Sequence, residues 1–179
     1  MIKYSYGGPM KKLLLILTIC LLFTGCSLVP RRTNSNVIRT DYGSFSIPNT
    51  WTKREDHSTT SKYFFANKRD KNSIPNNISV EVGKNRYSAK EHMQFKDAIT
   101  RQLAMQASAY KMTLNGTGST TKNGYAVYTF ELKGSRETTI QHYIVGEYKY
   151  VLVHETIFRD DNNDTNNAAK TIVNSFEWK

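Results

Sequence analysis

The sequence predicts an α+β domain, a three-layer α/β/α sandwich around a largely antiparallel sheet. Three observations predict it: a capped amphipathic run free of Gly and Pro from Ser88 to Tyr110, a series of hairpin-linked strands from Thr113 to Phe158 that is apolar on both faces, and a second amphipathic run at Thr165 to Phe176. A strand apolar on both faces needs cover on both sides, and the two helices are the layers available to supply it. The 179 residues suffice for one compact domain and not for two large ones. A charged content of 22% excludes a polytopic membrane protein, and 12% aromatic residues supply apolar surface that disordered chains lack.

In chain order, Lys11 and Lys12 precede an apolar run from Leu13 to Phe23 that ends in Thr24-Gly25-Cys26. The run is about half the ~20 residues a spanning helix needs, so residues 1–25 read as an export signal that is cleaved. Phe23-Thr24-Gly25-Cys26 resembles the lipobox of bacterial lipoproteins, with Phe23 where Leu is usual. That resemblance implies a diacylglycerol on the Cys26 thiol and cleavage before it; the alternative is an ordinary secretory peptide with Cys26 as a small buried residue. With Cys20 lost and Cys26 lipidated, the mature chain has no free thiol, which removes cysteine nucleophile, redox and thiolate-metal chemistry together. Two acyl chains hold a protein stably on a bilayer. Tyr4, Tyr6, Gly7, Gly8 and Pro9 are an unusual prelude to a signal peptide, so Met10 rather than Met1 is the expected start.

Residues 26–40 contain Pro30 and no sustained periodicity, and read as the lipidated cysteine and a flexible tether before a domain spanning 41–179. Removing residues 1–25 takes Lys3, Lys11 and Lys12 and no acid, which leaves 22 basic against 15 acidic groups, a net +7. The basic residues are scattered and form no stripe, so no nucleic-acid partner is expected; attraction to an anionic membrane or wall polymer is the milder reading.

Ser44 to Pro48 alternates as a short strand, and Asn49-Thr50 turns the chain into a second one at Trp51. Tyr63 to Ala66 and Ile78 to Val82 are further strands. Ser88 and Glu91 match a capping box, and His92, Phe95, Ile99, Leu103 and Ala107 then share one helix face. Asn123-Gly124 is a strong two-residue hairpin signal between Thr113–Lys122 and Tyr125–Lys133. A second hairpin turning at Gly146-Glu147 puts Ile140, Ile144, Val151, Val153 and Ile157 on one face and Tyr143, Val145, Tyr148, Tyr150, Leu152 and Phe158 on the other. Asp164 is the expected cap of the last helix, whose buried stripe is Ala169, Ile172, Val173 and Phe176.

Chemistry-bearing motifs are sparse. His57, His92, His142 and His154 show no helix-borne zinc spacing, and His142 and His154 read as polar strand ends. Asp160 to Asp164 lacks the Gly at Thr165 and the Glu at Thr171 that a calcium loop needs, so it reads as an acidic turn. No catalytic residue, metal site or cofactor is expected. Tyr143, Tyr148 and Tyr150 are the candidate partner-binding residues, because tyrosine joins apolar area to a hydrogen-bonding tip; the alternative is core beneath a helix.

Phe45-Ser46-Ile47-Pro48-Asn49-Thr50-Trp51, Asn123-Gly124-Tyr125-Ala126-Val127-Tyr128 and Ile172-Val173-Asn174-Ser175-Phe176, in that order, resemble the Mog1/PsbP-like superfamily, in particular its bacterial DcrB-like lipoproteins. The resemblance covers about residues 41–178 and implies fold more than chemistry. Its members are mostly non-enzymatic: PsbP proteins stabilise a membrane complex, Mog1 binds a small GTPase, and the lipoproteins are envelope components. It implies a non-catalytic, membrane-tethered module that binds an envelope protein at the outer face of a bacterial membrane, with a small ligand or anionic wall polymer as the alternative.

Overall fold

A computed structural model describes residues 34–70, 72, 74–158 and 163–179. The signal segment, Met10, Cys26, the arginines of the tether and most of the 160–164 acidic turn lie outside the described residues. Among the described residues, ten strands and two α-helices follow in order: β1 (Ser35–Arg39), β2 (Gly43–Pro48), β3 (Trp51–Lys53), β4 (Lys62–Asn67), β5 (Asn77–Lys84), α1 (His92–Tyr110), β6 (Thr113–Thr120), β7 (Ala126–Lys133), β8 (Thr138–Gly146), β9 (Lys149–Ile157), α2 (Asn163–Ser175) and β10 (Glu177–Trp178). Seven strands form one antiparallel sheet in the order β3-β4-β5-β9-β8-β7-β6. A smaller sheet, β1-β2-β10, joins α2 against its other face. The α+β sandwich expected from the sequence is present, with this second sheet as an added part of one outer layer.

The small sheet corrects one reading. Ser35–Arg39, assigned to the tether, is β1 and pairs antiparallel with β2 from Ser35 opposite Pro48 to Arg39 opposite Ser44. Only Val37 and Ile38 are apolar there, and Val37 is exposed, so the strand is held by its ladder and carries little hydrophobic pattern. The turn at Asn49 and Thr50 carries the chain from one sheet to the other, so the strands flanking it belong to different layers.

Helix α1 begins as its capping box requires. The Glu91 carboxylate accepts from the Ser88 backbone N–H at 3.0 Å and from its hydroxyl at 2.8 Å, and these bonds hold the Glu91 carboxyl below its ordinary pKa. Phe95, Leu103 and Ala107 bury the expected stripe against Tyr128, Phe130, Leu132, Tyr143, Val145 and Leu152. At the far end Lys111 takes the left-handed conformation (φ 53°), and the Met112 N–H bonds back to the Ala107 carbonyl at 2.8 Å. On the opposite face, Ala168, Ala169, Ile172 and Val173 of α2 pack with Phe45, Ile47, Phe65, Ile78, Val80, Val127, Ile144 and Val151. Helix α2 starts two residues earlier than expected, so Asp164 lies inside its first turn and accepts from the Asn67 amide at 3.2 Å.

The loop after β6 also differs from expectation. Thr120 pairs with Ala126, the Thr121 N–H donates to the Tyr125 carbonyl at 2.9 Å, and the Gly124 N–H donates to the Thr121 carbonyl at 3.0 Å. This is a three-residue loop in which Gly124 alone is left-handed (φ 82°), a type I turn closed by a bulge. Asn123 is freed from the two-residue turn and donates its side-chain amide to the Phe176 carbonyl at 2.9 Å, which ties the hairpin to the end of α2.

Gly83 of β5 lies beneath the Tyr150 ring, where any Cβ would collide with it. Gly83→Ala is therefore expected to lower stability by about 1–3 kcal/mol, measured by denaturant unfolding; an unchanged midpoint would show that Tyr150 swings away freely.

Candidate functional site

One end of the large sheet gathers the start of α1, the β8–β9 turn and the β6–β7 hairpin. Gly146 pairs with Lys149, so the β8–β9 turn is Glu147-Tyr148 and not Gly146-Glu147. The reason is steric: a Cβ on Gly146 would come within 2.7 Å of the Trp178 ring, so the glycine serves close packing inside the strand and is spent there. Lys149 caps the same ring with its ammonium 4.6 Å from the centroid. The register moves by an even step, and the two faces keep the residues expected of them, except that Tyr148 leaves the face and occupies the turn.

Tyr148 has φ 54°, a conformation unusual for a bulky side chain. Three hydrogen bonds hold it there. Its N–H donates to the Tyr87 carbonyl at 3.1 Å, its carbonyl accepts from the Asn85 N–H at 3.0 Å, and the neighbouring Glu147 carboxylate accepts from the Ala89 N–H at 3.0 Å. Ala89 opens the helical turn that leads into α1, where unpaired N–H groups favour an anion. The linker before α1 and the β8–β9 turn thus fix each other, and the Tyr148 ring stands 56% exposed above them.

Beside this turn, Ala89, His92, Gly118, Tyr125, Tyr128 and Val145 line a cleft of about 480 Å³. The Tyr128 hydroxyl lies 2.6 Å from His92 Nδ1 and 3.2 Å from Met93 Sδ. Burial, followed by the charge of Asp97, raises the Tyr128 pKa, so the phenol is neutral and serves as a hydrogen-bonding group. On the other side of the hairpin, α2 and the small sheet bound a groove of about 790 Å³ that includes Lys122, Asn123, Asn167, Lys170 and Asn174. Amides and two ammonium groups suit hydroxyl-rich or anionic ligands.

The three tyrosines expected to bind a partner do not form one surface. Tyr143 is 6% exposed, packs against Phe95 and Tyr150 at centroid distances of 5.9 and 5.4 Å, and donates to Gln141 Oε1 at 2.6 Å. Burial pushes its pKa up, and it is core beneath α1. Tyr150 is half-buried between Gly83 and Phe95. Of the three, Tyr148 alone is exposed.

His142 and His154 are placed differently from expectation, within their strands and not at the ends. His142 is a buried mid-strand residue whose Nδ1 lies 2.9 Å from Thr129 Oγ1 and whose Nε2 lies 2.7 Å from Glu155 Oε1. Hydroxyl, imidazole and carboxylate follow the order of a hydrolase relay, but Glu155 is 1% exposed and the row lies in the sheet interior, which makes it a structural polar network. Sequence reasoning missed it because it appears only once Thr129 is set opposite His142. His154 points to the other face, beside Ser79 and Gln141. Burial, then the Lys62 ammonium, lowers its pKa against a smaller opposite effect of Glu81. His57 is exposed next to Asp56, 3.2 Å away. Among the described residues, no three His, Cys, Asp or Glu side chains converge as a metal would require.

The chain is similar to solved structures. The solution structure of cyanobacterial PsbP (CyanoP) from Synechocystis sp. PCC 6803 is similar over 86% of this chain and 97% of its own, with a TM-score of 0.53 and 15% identity. A crystal structure from Bacteroides thetaiotaomicron aligns over 83% of this chain and 49% of its own, with a TM-score of 0.45 and 13% identity. No protein-family profile matches the chain, and no curated protein sequence does. The fold is the Mog1/PsbP-like one that the three sequence segments resemble.

Removing Glu155 leaves the His142 ring without its buried partner, and Glu155→Ala is expected to cost about 3 kcal/mol. Replacing both, as His142→Phe with Glu155→Leu, restores most of that in a double-mutant cycle; equal loss in the double variant would contradict the pairing. For His154 the lowered pKa means that the unfolded chain takes up its proton first, so stability is full above pH 6.5 and declines as pH falls below it. The difference between wild-type and His154→Gln stability profiles isolates this slope; coincident profiles would contradict it.

Proposed function

We propose that the protein is a non-catalytic binding module of a bacterial cell envelope, anchored by a diacylglycerol on Cys26 at the outer face of a membrane, where it holds a protein partner through Tyr148. The observation that carries this reading is the exposed tyrosine on a strained turn pinned by three hydrogen bonds. Strained backbone persists where surrounding structure over-determines it, commonly at binding sites, and a rigid tyrosine loses little entropy when it is buried by a partner. The anchor rests on Phe23-Thr24-Gly25-Cys26 and on the resemblance to DcrB-like lipoproteins. Residues 27–34 separate Cys26 from β1 and reach at most roughly 30 Å, so a lipidated chain keeps the domain close to the bilayer. Arg31 and Arg32 lie in that stretch, where each adds about 1 kcal/mol of attraction to anionic head groups.

Lys122 and Lys170 in the 790 Å³ groove favour a second reading, a binder of anionic wall polymer. It predicts salt-sensitive retention on such a polymer that Lys122→Glu with Lys170→Glu abolishes.

The principal reading is tested by crosslinking the full chain in native membranes and identifying captured proteins by mass spectrometry. Tyr148→Gly removes the ring and relieves the left-handed strain, so stability holds or rises by about 1 kcal/mol while capture of the partner falls at least tenfold. Unchanged capture contradicts the role of Tyr148. Cys26→Ala is expected to move the protein out of the membrane fraction, and continued sedimentation with membranes contradicts the anchor.

A further inference from the structure

We infer that β6 is a self-association edge: two copies of the chain pair antiparallel through β6 about a two-fold axis at Thr117, which joins their seven-stranded sheets into one. β6 closes the sheet on one side, and among the described residues no strand pairs with its outer edge. The opposite edge, β3, is blunted as monomeric sheets require: it has three residues and ends in Lys53, which pairs with Glu55 at 2.8 Å. β6 has none of these protections. It runs eight residues, Thr-Leu-Asn-Gly-Thr-Gly-Ser-Thr, without a charge or a proline, and all but Leu114 are exposed.

The strand is also built to meet itself. The Thr121 N–H bond to the Tyr125 carbonyl sets the phase of the ladder, so Leu114, Gly116, Gly118 and Thr120 direct their backbone N–H and C=O groups outward. About Thr117, Gly116 matches Gly118, and the polar Asn115 and Thr113 fall opposite the polar Ser119 and Thr121, while Leu114 falls opposite Thr120. A two-fold axis at Thr117 therefore sets glycine opposite glycine and outward-directed backbone opposite outward-directed backbone. No like charges oppose each other, because Lys111 comes opposite Asn123 and Lys122 opposite Met112. The absent Cβ atoms leave room on the α1 side that the Phe130 and Tyr128 rings cover, 3.1 and 3.4 Å from where those atoms would be. The contact is isologous and closes at two copies, which removes the free edge without starting a fibre.

The test uses the full chain in its own membrane. Across the axis the two Thr117 residues form a non-hydrogen-bonded pair with Cα atoms about 4.5 Å apart, within disulfide range. Thr117→Cys should give a disulfide-linked dimer on mild oxidation, whereas wild type and Met105→Cys, on the exposed side of α1, should not. Thr117→Lys and Thr117→Glu should each lose the dimer seen by sedimentation of the detergent-solubilised chain, and mixing them should restore it. Thr117 is exposed, so these changes leave the core intact. No Thr117→Cys dimer above the controls, a disulfide to a different protein instead, or Lys and Glu variants that still associate alone would each overturn the inference. These outcomes are independent of Tyr148, and the wild-type control reads any disulfide formed through Cys20 or Cys26 instead.

Discussion

Burial of β8 and β9 on both faces is the constraint on which the rest of the structure depends. From Gln141 to Gly146 every residue of β8 is buried, and Val151, Leu152 and Val153 of β9 are buried beside it. Such strands cannot lie at a surface, and each face needs its own cover. Helix α1 supplies Phe95, Leu103 and Ala107 on one side; α2, with Phe45 and Ile47 of β2, supplies the other. At roughly 2 kcal/mol for each large apolar side chain fully buried, this double cover is the main source of cohesion. It leaves the ends and the outermost edges of the large sheet uncovered.

The β8–β9 turn sits at one such end and is held from outside the hairpin. Asn85, Tyr87 and Ala89, from the linker that enters α1, bond to Glu147 and Tyr148. One carboxylate therefore serves two purposes, satisfying the opening turn of the helix and locking the hairpin. The exposed Tyr148 ring inherits the rigidity of both elements.

Periodicity made the layers legible in the sequence. The Ser88 and Glu91 box, the Phe95, Leu103, Ala107 stripe and the two-faced apolar pattern of β8 and β9 are local and repeat over many residues. What could not be read depended on contacts distant in sequence. Gly146 looked like a turn residue until Trp178, at the far end of the chain, was seen to need the space of its side chain. Asn123 looked like half of a two-residue turn, but its amide is drawn to Phe176. β1 carries almost no apolar signal because its ladder with β2 holds it. The left-handed Lys111 and Tyr148 lack the glycine that marks such positions, and the Thr129, His142, Glu155 row requires a strand register that only packing supplies.

The most direct measurement is residue-resolved amide hydrogen exchange under native conditions, compared at Tyr148, Ala89 and the central residues of β8 and β9. If the turn is locked to the doubly covered hairpin, the Tyr148 and Ala89 amides exchange slowly, with protection close to that of Ile144 and Val151. Exchange at Tyr148 at the rate of an open loop, with β8 and β9 still protected, would contradict the account, because the tyrosine would then be presented by a mobile turn.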